Sequence, residues 1–150
     1  MKLSFYTSNL FCKNKFVYTT LIIGSFFVFS ACANKVAFNT STTVPAARGY
    51  AKVKKDDNGN YKIAISIRNL AEVNRLQPPK KAYIVWVVAD NLPAKNVGLI
   101  SSDSKMFSQK LKAYFETVSA TKPTKIFITA EDDVATQTPT YINILETNSF

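Results

Sequence analysis

Three consecutive acids, Glu131, Asp132 and Asp133, and one thiol closing an apolar run, Cys32, are the side chains of this 150-residue chain best placed to do chemistry. Carboxylates at a strand end can exchange protons with a substrate or hold calcium. Adjacent acids more often form a solvated loop, and a glycosidase pair is defined by a separation in space. The chain has no His, which excludes a Ser–His–Asp triad, imidazole acid–base catalysis and the usual zinc and copper sites. Its 4 glycines leave no phosphate cradle. Residues 56–60, DDNGN, have the composition of a calcium loop without its spacing or distal Glu, and read as a turn. The expectation is a non-enzyme with no catalytic residue, metal or cofactor.

The thiol has a more specific setting. Residues 21–32, LIIGSFFVFSAC, follow Lys13 and Lys15 and end on the small residues Ser30 and Ala31. Charge, apolar core and small residues in that order make a secretory signal. A spanning helix needs about 20 apolar residues, and Tyr18, Thr19, Thr20, Gly24 and Ser25 dilute this stretch. The segment resembles a bacterial lipoprotein signal, whose thiol at the cleavage point receives a diacylglycerol. Phe29 stands where that signal usually has Leu or Val. The resemblance implies that residues 1–31 are removed and that Cys32 is lipidated, holding the protein to the membrane through an N-terminal lipid. At ~0.8 kcal/mol per buried methylene, two or three acyl chains make an effectively permanent tether. A plain secretory signal and an uncleaved anchor helix are the alternatives. No acidic run follows Cys32, which favours the periplasmic face of the outer membrane. Cys12 leaves with the signal, so no disulfide is expected.

Charge points away from nucleic acid. Setting aside Lys2, Lys13 and Lys15 of the signal, 16 of the 19 basic residues remain against 10 acidic ones, a net charge of +6. Only Arg48, Arg68 and Arg75 are arginines, and Arg supplies most bidentate base and phosphate contacts. The excess reads as a solvated basic face, with attraction to anionic lipid or polysaccharide as the sharper alternative.

These residues must be positioned by strands. Residues 32–47 begin as a polar tether, and 36–44 can form an edge strand stopped by Pro45. Residues 48–55 and 61–68 flank DDNGN, where Asn58-Gly59 predicts a hairpin with a type I′ turn. Tyr61, Ile63, Ile65 and Ile67 share one face of the second arm, Lys62, Ser66 and Arg68 the other. Residues 69–81 hold Pro78-Pro79 and form a stiff connection between sheets, whose Arg75, Lys80 and Lys81 are expected to be exposed. Residues 82–89, AYIVWVVA, make a central strand shielded on both sides, with Trp86 buried. A turn containing Lys95 precedes a short strand with Gly98 at a bulge. Residues 103–118 fit either a helix or a strand, and a strand over 109–115 is favoured. Residues 125–130 and 140–146 are the last strands, Tyr141, Asn143 and Leu145 facing one way and Ile142, Ile144 and Glu146 the other. Seven or eight short strands separated by turns predict an all-β, antiparallel β-sandwich over 48–150.

Tyr83 to Trp86, Val97-Gly98, Ile126 to Asp132 and Pro139-Thr140 together resemble the extracytoplasmic domain of anti-sigma-K factors. That family has a Trp-bearing strand, a small Gly strand, a strand ending in Thr-x-Glu, and Pro-Thr before its last strand. The resemblance implies an immunoglobulin-like sandwich. Asp132-Asp133 replace the family's Gly-rich turn, and the sigma-binding segment has no counterpart, so sigma binding does not carry over. The expected function is a lipid-anchored interaction or structural module binding an envelope protein or glycan through Arg75, Lys80, Lys81, Lys95 and the Glu131–Asp132–Asp133 loop. The alternative is a small-ligand or glycan-binding lipoprotein with a pocket lined by rings such as Tyr50, Tyr61, Trp86, Phe107 and Tyr114.

Overall fold

The computed structural model describes residues 33–90, 92–103, 111–140 and 143–150. Its compact unit Ala33–Phe150 is all-β, with strands β1 (Asn34–Ala37), β2 (Arg48–Lys55), β3 (Tyr61–Arg68), β4 (Ala82–Ala89), β5 (Lys95–Ile100), β6 (Ser102–Asp103), β7 (Lys112–Ser119), β8 (Pro123–Glu131) and β9 (Asn143–Glu146). They form two antiparallel sheets packed as a β-sandwich, in the orders β1-β2-β3-β7-β6 and β5-β4-β8-β9. Two extended runs pass from one layer to the other with hardly a break. Only Ser101 separates β5 from β6, yet these strands belong to different sheets. Likewise, β1 pairs with β2 in the first sheet, and the next residue, Phe38, bridges Thr147 just beyond β9 of the second. Counted as one crossing strand, β5 and β6 bring the total among the described residues to eight, within the expected seven or eight.

Period-two patterning builds the core. Ile63, Ile65 and Ile67 of β3 point inward, and Ala51 and Val53 of β2 join them. Tyr83, Val85 and Val87 of β4 and Ile126, Ile128 and Ala130 of β8 supply the facing layer. These buried side chains all belong to Ala33–Phe150, so that unit carries its own inter-sheet core. The other parity of β4 and β8 is buried too: Ile84, Trp86 and Phe127 form a second cluster on the outer face of the second sheet. The unbroken apolar run 82–89 reflects this double burial.

Local geometry departs from expectation in three places. The DDNGN hairpin is not type I′. Gly59 has a positive φ of 83° while Asn58 does not, Gly59 N donates to Asp56 O, and Asp56 N donates to Asn60 O. This is a three-residue loop, a type I turn followed by a left-handed Gly. The Asp56 carboxylate selects it by accepting from Asn58 N and Asn60 N at 3.0 and 2.9 Å. On β9 the predicted alternation fails at Ile144 and Leu145, which a bulge opposite Ile128/Thr129 turns inward together; Tyr141 and Ile142 lie outside the described residues. The ambiguous stretch over 103–118 contains the strand Lys112–Ser119, which runs on past the predicted end at 115; residues 104–110 of that stretch lie outside the described residues. The connection over 69–81 does link the two sheets. It holds a 3₁₀ turn, Val73–Arg75, and a cis Gln77–Pro78 peptide.

Gly98 lies in the predicted bulge with φ 136°, and an added Cβ would sit 3.0 Å from the Phe115 ring of the opposite sheet. Gly98→Ala is therefore expected to destabilise the protein by about 1–3 kcal/mol in urea unfolding. An unchanged midpoint would contradict this packing. Burial pushes the Tyr83 hydroxyl up to about 12, and it donates to Ala71 O at 3.1 Å. Because folding favours the protonated phenol, its contribution is complete below the unfolded value near 10 and is lost as pH rises towards 12. Tyr83→Phe should flatten the fall in stability above pH 10, and an identical slope would exclude this origin.

Candidate interaction surfaces

The residues expected to form contact loops divide between two places. Lys80 and Lys81 end the connection into β4, and Glu131, Asp132 and Asp133 leave the strand beside it. Lys81 N donates to Glu131 O at 3.0 Å. Arg75 is exposed and its Nε lies 3.0 Å from Glu72. Lys95 is at the far end of the second sheet, opposite Val87.

Two of these residues are not solvated. The Lys80 side chain is only 7% exposed, and its Nζ lies 2.7 Å from Asp132. A buried ammonium must be paired, so the expectation that Lys80 is exposed is corrected. Glu131 is 1% exposed. Its carboxylate accepts from the Thr140 amide at 3.2 Å and from the Thr140 hydroxyl. The acidic run is thus a latch between the end of β8 and the approach to β9. Asp133 is exposed, as Asp132 is on the side away from Lys80, and accepts from Ala135 N within its own turn.

The latch continues across the outer face of the second sheet. Trp86 is fully buried, and its indole donates to the Thr129 hydroxyl at 2.8 Å. Phe127 stacks against it with centroids 6.1 Å apart. Asn96, opposite Trp86 in register, donates to the carbonyls of Val134 and Thr136, drawing the loop after β8 back to β5. Trp86, Thr129, Glu131 and Thr140 are motif residues of the sequence reading, and each is consumed in holding this face closed. Trp86 therefore offers no ligand platform. A buried indole contributes about 5 kcal/mol from the ~200 Å² it removes from water.

Among the described residues, nothing covers the outer face of the first sheet. Lys52, Lys54, Lys62, Arg68 and Lys112 are exposed on it, as are Lys35 and Tyr114. Register places like charges side by side: Lys35 opposite Lys52, Lys54 opposite Lys62, and Arg68 between Arg48 and Lys112. Tyr50 lies among them, its ring 3.9 Å from the Lys35 ammonium and 5.8 Å from that of Lys52. Lys62, Ser66 and Arg68 stand on the side their alternation predicts, and the basic excess gathers there with Lys52 and Lys54 of the neighbouring strand. The alternation of Lys52 and Lys54, and of Lys62 and Arg68, was the available signal.

Among the described residues, no group of three or more His, Cys, Asp or Glu is arranged to hold a metal, and no helix is long and apolar enough to cross a membrane. A cleft of about 420 Å³ lies beside Lys95, between Leu92–Val97 and Val118–Thr121. Tyr61 packs against the core, while Tyr50 and Tyr114 share the basic face. Cys32 and Phe107 lie outside the described residues. No family model, curated protein or solved structure matches the chain.

The latch predicts coupled energetics. Glu131→Ala should cost about 3 kcal/mol and Thr140→Ala about 1–2 kcal/mol in denaturant unfolding, with the double variant losing less than the sum. Strict additivity would show that the two side chains do not act together.

Proposed function

We propose that this chain is a lipid-anchored, non-catalytic interaction module of a bacterial cell envelope, acylated on Cys32 and displayed on the periplasmic face of the outer membrane. The observation that carries the reading is the junction between signal and fold. The apolar run ends at Cys32, and β1 begins at Asn34. With only Ala33 between them, two extended residue steps reach at most about 7 Å. An acyl group on Cys32 would hold the first sheet against the bilayer. The stretch 32–47, expected to begin as a tether and to offer an edge strand over 36–44, supplies β1 at the edge of that sheet, starting earlier, at Asn34. The buried latch adds support, since Glu131 and Lys80 are engaged in closing the fold.

The finer architecture belongs to the same proposal. Reading β2, β3, β4, β7, β8 and β9 as strands A, B, C, E, F and G, with β5–β6 as the strand that changes sheets, gives an immunoglobulin-like order. This supports the likeness to the anti-sigma-K extracytoplasmic domain. Trp86 departs from the immunoglobulin pattern, because it faces away from the inter-sheet core.

The anchor is tested by labelling cells that express the chain with a fatty-acid analogue and fractionating their membranes. The wild type should be labelled and sediment with the outer membrane, and Cys32→Ser should lose the label. Mass spectrometry of an unmodified Cys32 thiol, or a Cys32→Ser protein as firmly bound as the wild type, would overturn the reading.

A further inference from the structure

The two outer faces of this sandwich are built on opposite principles. One is sealed: Ile84, Trp86, Thr129 and Glu131 are all buried there. The other is open and positive, and its charges are arranged against stability. Like charges directly opposite on neighbouring strands repel and destabilise a sheet. Registered neighbours lie about 5 Å apart across strands and about 7 Å apart along them. The face nonetheless carries Lys35–Lys52, Lys54–Lys62, Arg48–Arg68 and Arg68–Lys112 as registered pairs. No ion pair found among the described residues involves these cations. Glu116 is the acid on the exposed rows of β7, beside Ala64 and one strand further from Lys52. Arg48 is partly engaged, donating to the carbonyls of Pro45 and Ala47. A surface that keeps such repulsion is suited to a partner that relieves it.

We propose that the outer face of the β1-β2-β3-β7 sheet docks on an anionic bilayer surface, its lysines meeting lipid phosphates. Three observations favour a membrane over other polyanions. The cations stand on a sheet face, so they present an array rather than a cleft. They are mostly Lys, which acts as a point charge, whereas Arg is the residue of bidentate phosphate recognition. Tyr50 and the 66% exposed Tyr114 stand in register with Ser66 between them, and tyrosine favours the headgroup level of a bilayer. The proposal deepens the envelope reading but does not depend on acylation, because the face exists without Cys32. Lipidation would keep it within reach of the surface, and docking would fix which side of the sandwich faces away.

The test uses the chain Ala33–Phe150, which contains both sheets and the core between them and lacks the thiol, so failure here is distinct from failure of the anchor. Its binding is measured by co-sedimentation with vesicles of equimolar phosphatidylglycerol and phosphatidylcholine, and with phosphatidylcholine alone. Binding is expected only to the anionic vesicles, and should fade as salt shortens the screening length from about 10 Å at 0.1 M to about 3 Å at 1 M. Each lysine near the surface is worth roughly fivefold in affinity, so Lys52→Gln/Lys54→Gln/Lys62→Gln should weaken binding by about 100-fold. The same triple should raise the thermal midpoint of the free protein by removing repulsion, which also shows that it folds. Lys81→Gln/Lys95→Gln/Lys122→Gln removes equal charge elsewhere and should leave binding within about threefold of the parent.

Equal losses from both triples would overturn the proposal, because net charge alone would then suffice. So would absent binding, binding to neutral vesicles that ignores the first triple, or dextran sulfate displacing the vesicles at lower charge concentration. That last result would make the partner a soluble polyanion.

Discussion

Everything in this molecule depends on keeping β4 and β8 dry on both faces. A sandwich needs each sheet to bury only one side, and here the first sheet does so, with Ile63, Ile65 and Ile67 inward and lysines outward. The second sheet has no such freedom. Ile84, Trp86 and Phe127 project away from the inter-sheet core, and leaving them wet would forfeit several kcal/mol of burial. The loop after β8 therefore has to return over the sheet, and polar groups buried on that route must be paired. Trp86 finds Thr129, Thr140 finds Glu131, and Asn96 finds the loop carbonyls. Among the described residues no buried side-chain polar atom lacks a partner.

That requirement explains why the residues most suggestive of chemistry are structural. Glu131 looks like a free carboxylate in sequence because its neighbours are acids, but its position on the outward parity of β8 decides its fate. Lys80 looks like a surface lysine because prolines precede it, yet it meets Asp132 across 52 residues of chain. The acidic run is divided by geometry: Glu131 holds Thr140, Asp132 neutralises Lys80, and Asp133 closes its own turn. A similar pairing on β8–β9, Lys125 with Glu146 at 2.8 Å, holds the Glu146 carboxyl below its usual range. Its stabilisation is present at neutral pH and is lost as pH falls through that lowered value.

Much of the architecture was legible because strands announce themselves locally. The period of β3, the doubly apolar β4, the β-branched β8 and the prolines between sheets each carry their signal within eight or nine residues. The hairpin position was legible, but its turn type was not, because Asp56 competes for the amides that a type I′ turn leaves elsewhere. The order of the faces on β9 was hidden by a bulge, which inserts one residue and shifts parity without altering composition. On the basic face the charges were legible but their pairing across strands was not. Each strand shows its own alternating charges, but only register sets Lys54 beside Lys62 and Arg68 beside Lys112.

Trp86 is the one tryptophan of the chain, so its fluorescence reports directly on whether the second sheet is sealed. Emission should be blue-shifted and almost insensitive to iodide in the folded protein, becoming red-shifted and readily quenched only on global unfolding. Water-like emission with ready quenching in the native state would contradict the account, because the outer face of β4 would then be open.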